Sequence, residues 1–188
     1  LLCLPELCNR FGQNERTLFS FLTSNEPLSV SSFVESTAWN PNEDIPFVRL
    51  DHIYDYFIKS ASNTVGSAEL ASRLIEIETR VRDSQGLGTY REKVLKSVGV
   101  LNLVASGGTA RSSGDTLALA MHDCLFADAP AKELREALLE LEEKGLITYR
   151  EFADEYRIWN GTDFGLRQRL QEARREAKLT PLDQVLRG

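Results

Sequence analysis

Hydrophobic residues recur along most of the chain at the three- and four-residue spacing of amphipathic helices. The clearest case is residues 67–83, where apolar positions follow one another at steps of four, three and four and charged residues fill the gaps. These apolar positions are Leu70, Leu74, Ile77 and Val81. The pattern predicts a helix that buries one face.

Start and stop signals divide the remaining helical pattern into shorter helices. Ser29 and Asp51 are predicted N-caps, and either Ser113 or Asp115 is a third, because such side chains accept hydrogen bonds from backbone N–H groups at helix starts. Gly145 is placed to end a helix. The sequence therefore predicts several short helices that pack together.

Two segments depart from this simple pattern. Residues 90–105 have apolar side chains on every side of a helix axis, and a strand over 98–104 is the alternative to a helix. We expect the segment to be buried in both cases. After Gly145 the apolar period changes to two, which predicts a β-hairpin. Its alternating apolar positions are Ile147, Tyr149, Tyr156 and Ile158.

The order of these elements predicts the fold class. Three helices followed by a two-stranded hairpin is the order of a winged helix-turn-helix, in which the hairpin covers the apolar side that three short helices leave open. We expect a mainly α protein: a helical lid-like bundle followed by a winged helix-turn-helix with a small β-hairpin. An α-helical domain with an unrelated hairpin is the alternative.

Composition restricts the classes of partner. Apolar residues make up 42% and charged residues 27% of the 188 positions, which is typical of soluble globular proteins. The net charge of −6 opposes non-specific attraction to nucleic acid or anionic lipid. Cys3, Cys8 and Cys124 have no C-x-x-C spacing, so we expect no disulfide framework or zinc site and a reducing, cytoplasmic location.

The first residue is not Met, which suggests a fragment of a longer protein.

Charge on the third and last helices points to different partners. The third helix of the predicted winged-helix module has three basic and five acidic residues, so we expect it to contact protein rather than DNA. The predicted C-terminal helix, within residues 166–188, has an excess of basic residues. A solvated face is the favoured interpretation of its charges and a nucleic-acid contact the alternative; the candidate residues are Arg167, Arg169, Arg174, Arg175 and Lys178.

No complete catalytic or metal-binding motif is present. The sequence lacks G-x-x-x-x-G-K-[ST], and Gly107-Gly108-Thr109 has no lysine to reach a phosphate. His122-Asp123-Cys124 is not expected to be a catalytic unit, because adjacent residues of a helix point in different directions. Asp51 and Asp55 near His52 make an incomplete metal site. We therefore predict no catalytic residue and no metal ligand.

Four segments resemble one family of proteins. Residues 11–22, FGQNERTLFSFL, look like the lid-helix segment of bacterial P-loop ATPases of the AAA+ and STAND type, several of which are associated with antiviral defence. Residues 50–57, 94–103 and 156–164 are similar to further parts of the same proteins.

The resemblance implies one site residue, Arg16; the alternative is that Glu15, or Gly12 and Gln13, caps a helix and Arg16 is a surface charge. In AAA+ lids an arginine in a similar Gly-Asn context senses the γ-phosphate of ATP. Because both Walker motifs are absent, ATP and Mg²⁺ would bind only in a full-length protein, on residues upstream of this chain.

Element order, the prolines and turn residues of the linker and, for the first part, the resemblance together predict a division of the chain. Its parts would be lid-like helices of an upstream ATPase domain (1–36), a linker (37–50), a helical connector (51–87), the winged-helix module (88–165) and a C-terminal helix (166–188).

These observations favour one function over two others. We expect a non-catalytic C-terminal module of an ATP-binding protein that relays nucleotide state and docks an upstream ATPase domain or other protein subunits. A winged-helix transcriptional regulator that binds DNA and a plain helical adaptor are the alternatives. A membrane is not an expected partner.

Overall fold

The computed structural model describes most of the chain up to Trp159, and the statements below concern those residues. They are 3–10, 14–40, 45–58, 68–105, 110–122 and 131–159. The chain divides into two units, residues 1–158 and 159–188. All the elements below lie in the first unit.

The described residues form eight α-helices and one two-stranded antiparallel sheet, so the protein is mainly α, as predicted. The helices are α1 (Cys3–Arg10), α2 (Asn14–Thr23), α3 (Val30–Ser36), α4 (Leu50–Phe57), α5 (Ala68–Asp83), α6 (Thr89–Val104), α7 (Gly114–Ala120) and α8 (Ala131–Glu143). The strands are β1 (Ile147–Arg150) and β2 (Glu155–Ile158). Residues 37–40 and 45–49 form neither helix nor strand. None of the helices in the described part of the chain is long and apolar enough to cross a membrane.

Helix α6 is the centre of the core. It contacts α1, α4, α5, α7, α8 and β2, so its apolar side chains are covered from several directions. This explains why the apolar residues surround the helix axis, and the alternative of a strand over 98–104 is wrong. The most deeply buried apolar side chains of α6 are Val94, Leu95, Val98, Val100, Leu101 and Leu103.

Three predicted helix ends are confirmed. Ser29 Oγ accepts from Ser32 N at 3.1 Å, and Ser113 rather than Asp115 caps α7, accepting from Thr116 N at 3.2 Å. Gly145 has φ +68°, the left-handed conformation that glycine adopts without strain. Its N–H donates to the carbonyl of Glu142 at 2.9 Å, which ends α8 in a Schellman motif.

The predicted N-cap of α4 is wrong. The helix begins at Leu50, Arg49 is the extended residue before it, and Asp51 lies within the first turn. The Asp51 carboxylate is buried and lies 3.4 Å from Arg49 Nε. Its negative charge still favours the helix start through the helix dipole, but no cap hydrogen bond forms.

The predicted hairpin is present. Ile147 lies opposite Ile158 and Tyr149 opposite Tyr156, and the ring centroids of the two tyrosines are 4.9 Å apart. A 3₁₀ turn over Glu151–Ala153 connects the strands. The two isoleucines are buried against the helices, as the alternating pattern predicts.

Helix α5 packs very closely on α6. Its predicted inner residues Leu70, Leu74 and Ile77 are buried. A Cβ atom on Gly99 of α6 would lie 2.7 Å from Ile77 Cγ2, nearer than side-chain atoms pack in proteins. Glycine at 99 therefore sets the distance between the two helices.

The substitution Gly99→Ala tests this close approach. We expect it to destabilise the protein by about 1 kcal/mol, because overpacking costs about 1–3 kcal/mol and the gain in helix propensity returns about 1 kcal/mol. In an Ile77→Ala background the same change should be neutral or stabilising. Urea denaturation of the four proteins of this cycle measures the coupling. Additive effects would contradict the proposed contact.

Candidate docking surface on helix α8 and the hairpin

The side-chain amide of Asn102 binds the hairpin to α6. Its Nδ2 donates to the backbone carbonyl of Tyr156 and to Ser112 Oγ, both at 2.9 Å. Its Oδ1 accepts from the backbone N–H of Ile158 at 2.9 Å. The Ser112 hydroxyl also donates to the Tyr156 carbonyl. Asn102 is buried, and every polar atom of its side chain has a partner.

The backbone of Ser112 completes this edge of the sheet. The N–H of Tyr156 donates to the carbonyl of Ser112 at 2.9 Å. An unpaired strand edge is costly when buried and prone to aggregation when exposed. Because Asn102 and Ser112 cover the side of β2 that faces away from β1, the hairpin is held against α6 and against the residues before α7.

Ion pairs and hydrogen bonds order the hairpin itself. Glu155 is buried, and its Oε1 lies 2.8 Å from Arg157 Nε and 3.9 Å from Arg150 Nη1. The Tyr149 hydroxyl donates to Asp154 Oδ1 at 2.7 Å, and that hydrogen bond raises the pKa of Tyr149. Phe152, in the 3₁₀ turn, is 89% exposed, so the ordered hairpin presents an aromatic ring at its tip.

Helix α8 buries one face and exposes another of balanced charge. Glu140 is paired with Arg91 of α6, and Glu142 Oε1 accepts from the N–H of Tyr149 at 3.1 Å. Two of the five acids that the sequence assigns to this helix and its end are therefore engaged internally. Leu139 is 56% exposed. Around it the exposed charges are three basic and three acidic: Lys132, Arg135, Lys144, Glu133, Glu136 and Glu143.

This arrangement is suited to protein contact. Exposed aromatic and aliphatic side chains on rigid elements bury apolar area when a partner covers them. A face with equal numbers of cations and anions gains little from phosphate groups, since that attraction depends on an excess of Lys and Arg. We therefore take Leu139, Phe152 and the charges around Leu139 as the candidate docking surface.

The structure places only part of the predicted site residues. Arg16 is the third residue of α2, and its role as a nucleotide sensor stays a prediction. His122 follows α7 closely and is half-buried, whereas Asp123 and Cys124 lie outside the described residues. The basic candidates of the last helix also lie outside them: Arg167, Arg169, Arg174, Arg175 and Lys178.

The acids around His52 pair with cations. Asp51 lies 3.4 Å from Arg49 Nε and 3.8 Å from His52 Nδ1, while Asp55 lies 2.9 Å from Lys96 Nζ. Burial tends to lower the pKa of Lys96, but its carboxylate partners outweigh that effect and raise it. No group of three or more His, Cys, Asp or Glu in the described segments could hold a metal ion.

Sequence reasoning missed Asn102 and Phe152. The signal for Asn102 is a polar amide inside an otherwise apolar run, Val100-Leu101-Asn102-Leu103-Val104, because a buried amide requires partners. The signal for Phe152 is an aromatic residue in the turn of a hairpin, where polar residues are usual. Neither signal identifies its partner.

Comparisons with known proteins give no further assignment. No family model matches the chain, and no curated protein or solved structure is significantly similar to it. The proposal below therefore depends on the geometry of the described residues and on the resemblance of short segments.

Replacing Asn102 tests its role as the anchor of the hairpin. We expect Asn102→Ala to destabilise the protein by about 2–4 kcal/mol, because each buried group left unsatisfied costs about 1–3 kcal/mol. Asn102→Asp should also destabilise, since a carboxylate cannot donate to the Tyr156 carbonyl. Urea denaturation followed by tryptophan fluorescence measures both. The exposed control Asn25→Ala should change stability by less than about 0.5 kcal/mol, and an equally small effect at 102 would refute the anchor.

The pKa of Asp51 predicts a pH dependence of stability. Burial raises this pKa, but the adjacent His52 ring and the charges of Arg49 and Lys93 together hold it below its ordinary value. The resulting stabilisation is complete above the unfolded-state pKa, about 3.9, and is lost as the pH falls through the lower folded-state pKa.

Asp51→Asn should therefore lower stability at neutral pH and flatten its fall below about pH 4. Chemical denaturation between about pH 2 and 7 measures the slope, with the exposed Asp115→Asn as the control variant. An unchanged slope in Asp51→Asn would show that this carboxylate contributes nothing to acid unfolding.

Proposed function

We propose that residues 89–158 are a winged-helix module that docks protein surfaces, in the C-terminal region of an ATP-binding protein whose nucleotide state it relays. The module holds and presents its docking surface and performs no chemistry of its own. The single observation that carries the proposal is the exposed face of α8, which is balanced in charge and has Leu139 at its centre.

Chain order and one backbone contact support the winged-helix assignment. Helices α6, α7 and α8 precede the hairpin, and the carbonyl of Ser112, between α6 and α7, accepts from the N–H of Tyr156 in β2. In a winged helix, a segment between the first two helices joins the hairpin and thereby closes the core. The anchor at Asn102 holds the hairpin in that position.

The packing around α6 supports a role in relaying motion. Helices α1, α4 and α5 contact this central helix, and α7, α8 and β2 also contact it. Because protein interiors are close-packed, a displacement of α1, α4 or α5 reaches α7, α8 and β2 through α6. The similarity of residues 11–22 to ATPase lid helices supports ATP binding upstream as the source of that displacement, with Arg16 as the sensor.

A winged-helix regulator that binds DNA is the second candidate. Five basic residues in the sequence of the last helix favour it: Arg167, Arg169, Arg174, Arg175 and Lys178. The balanced face of α8 opposes it, since a helix that reads DNA needs donors for base edges and few carboxylates beside phosphates.

Site-specific photo-crosslinking tests docking by protein. A photoreactive phenylalanine analogue at position 139 or 152, in cells of the source organism, should give one protein adduct of defined mass. The same analogue in place of the exposed Ser72 of α5 should not give it. Combining the analogue at 139 with Phe152→Ser should reduce the yield at least about tenfold, because both residues contact the same partner at an interface hot spot. Equal adducts at 72 and 139, or an adduct sensitive to nuclease, would refute the proposal.

Binding of nucleic acid and nucleotide by the chain separates the alternatives. We expect no duplex DNA binding between about 50 and 200 mM salt, whereas phosphate contacts would give a steep salt slope. We also expect no tight binding of magnesium ATP, because the Walker motifs are absent. A steep slope would favour the regulator, and micromolar ATP affinity would place a complete nucleotide site in this chain.

A further inference from the structure

Exposed hydrophobic side chains concentrate near α2 and α3, away in sequence from α8 and the hairpin. Six of the large apolar side chains that are exposed among the described residues lie between positions 19 and 45. Four of them, on two contacting helices and their connecting turn, define what we call the α2–α3 surface. They are Phe19, Leu22, Leu28 and Val34.

Each of the two helices has exposed apolar side chains. In α2, Phe21 is buried against Tyr56 and Phe57, while Phe19 is 62% exposed. In α3 no residue is fully buried, and Val34 is 66% exposed. A helix as short as α3 is marginal in water without packing, so α3 has apolar area still available for a partner.

The backbone of Leu28 points to the same conclusion. It has φ +70°, a left-handed conformation that is strained for a residue with a branched side chain. The strain is not compensated by burial, since this side chain is exposed. The turn itself holds this conformation, because Ser29 N donates to the Glu26 carbonyl at 3.1 Å and Ser29 Oγ donates to the Ser24 carbonyl at 2.7 Å. The side chain of Leu28 is thereby kept on the surface, where a partner can contact it.

Charge around the surface specifies the chemistry of that partner. Residues 17–48 contain no Lys, Arg or His, although the chain has 22 Lys and Arg residues, and they contain four acids. Of these acids, Glu26 and Glu35 are described and exposed. Glu26 also accepts a hydrogen bond from the Tyr56 hydroxyl at 3.0 Å, which fixes its carboxylate beside the α2–α3 turn. Between residues 14 and 48 the sequence has five acids and one cation, Arg16 of α2, so the apolar surface is complementary to an apolar and basic ligand.

We propose that the α2–α3 surface binds a basic amphipathic helix of a partner protein, with the apolar face of that helix on Phe19, Leu22, Leu28 and Val34. Two adjacent helices can receive a third along their apolar side through anchors at helical spacing. Lys and Arg on the flanks of the bound helix would face Glu26 and Glu35. This inference does not depend on the function proposed for α8 and the hairpin.

Fluorescence anisotropy with two labelled model peptides tests the proposal on the full 188-residue chain. One peptide has Leu and Lys at amphipathic helical spacing, and its counterpart has Glu in place of Lys. We expect micromolar affinity for the basic peptide and at least about tenfold weaker binding of the acidic one, because like charges across an interface repel. No binding of the basic peptide, or equal affinity for both, would overturn the proposal.

Variants separate specific docking from general attraction to an acidic protein. Phe19→Ser combined with Val34→Ser keeps the net charge and should weaken binding of the basic peptide at least about tenfold, since both apolar anchors are lost. Ile75→Ser, at an exposed position of α5, should leave the affinity within about twofold. Glu35→Lys should weaken binding several-fold and reduce its salt dependence. Unchanged affinity in the double variant would refute the site.

Leu28→Gly distinguishes lost docking from lost folding. Glycine adopts the φ of +70° without strain, so this variant should have a Tm no lower than the native protein and yet bind the peptide more weakly. Unchanged binding would exclude Leu28 from the surface. Sedimentation tests a second copy as the occupant: a dimer that Phe19→Ser and Val34→Ser dissociate would assign the surface to self-association and overturn the proposed partner.

Discussion

The side-chain amide of Asn102 is the interaction on which the arrangement of helices and hairpin depends. It lies in the most buried helix and bonds to two backbone groups of β2 and to Ser112. A two-stranded hairpin is marginal by itself in water. Because these bonds fix the hairpin to α6, its residues Ile147 and Ile158 are buried in the core, and Phe152 is held in a defined place.

Helix α6 links this anchor to the rest of the described chain. It packs on α4 and α5 on the N-terminal side of the sequence and on α7, α8 and β2 on the other. Ion pairs cross the same interfaces: Lys96 with Asp55 of α4, and Arg91 with Glu140 of α8. A helix that is covered on nearly every side cannot shift alone. This packing is what the proposed relay from α4 and α5 to α8 and the hairpin depends on.

The two proposed surfaces differ in the chemistry of the partners they suit. The exposed face of α8 has both signs of charge around a leucine, which favours a mixed, polar-rimmed protein interface. The α2–α3 surface has acids beside its apolar residues, and Arg16 is the one cation between residues 14 and 48, which favours a basic helix. Both proposed surfaces lie in the same unit of the chain, residues 1–158.

The sequence by itself determined the mainly helical character, the hairpin and three helix ends, because period, caps and glycine act over a few neighbouring residues. It predicted the inner face of α5 and the role of Gly145 for this reason. Tertiary structure decided that residues 98–104 are helical, that Asp51 pairs with Arg49 without capping α4, and that Glu140 and Glu142 are engaged internally. It also gave Asn102 its partners, up to 56 residues away. Such contacts depend on which distant residues meet, and a local pattern contains no information about that.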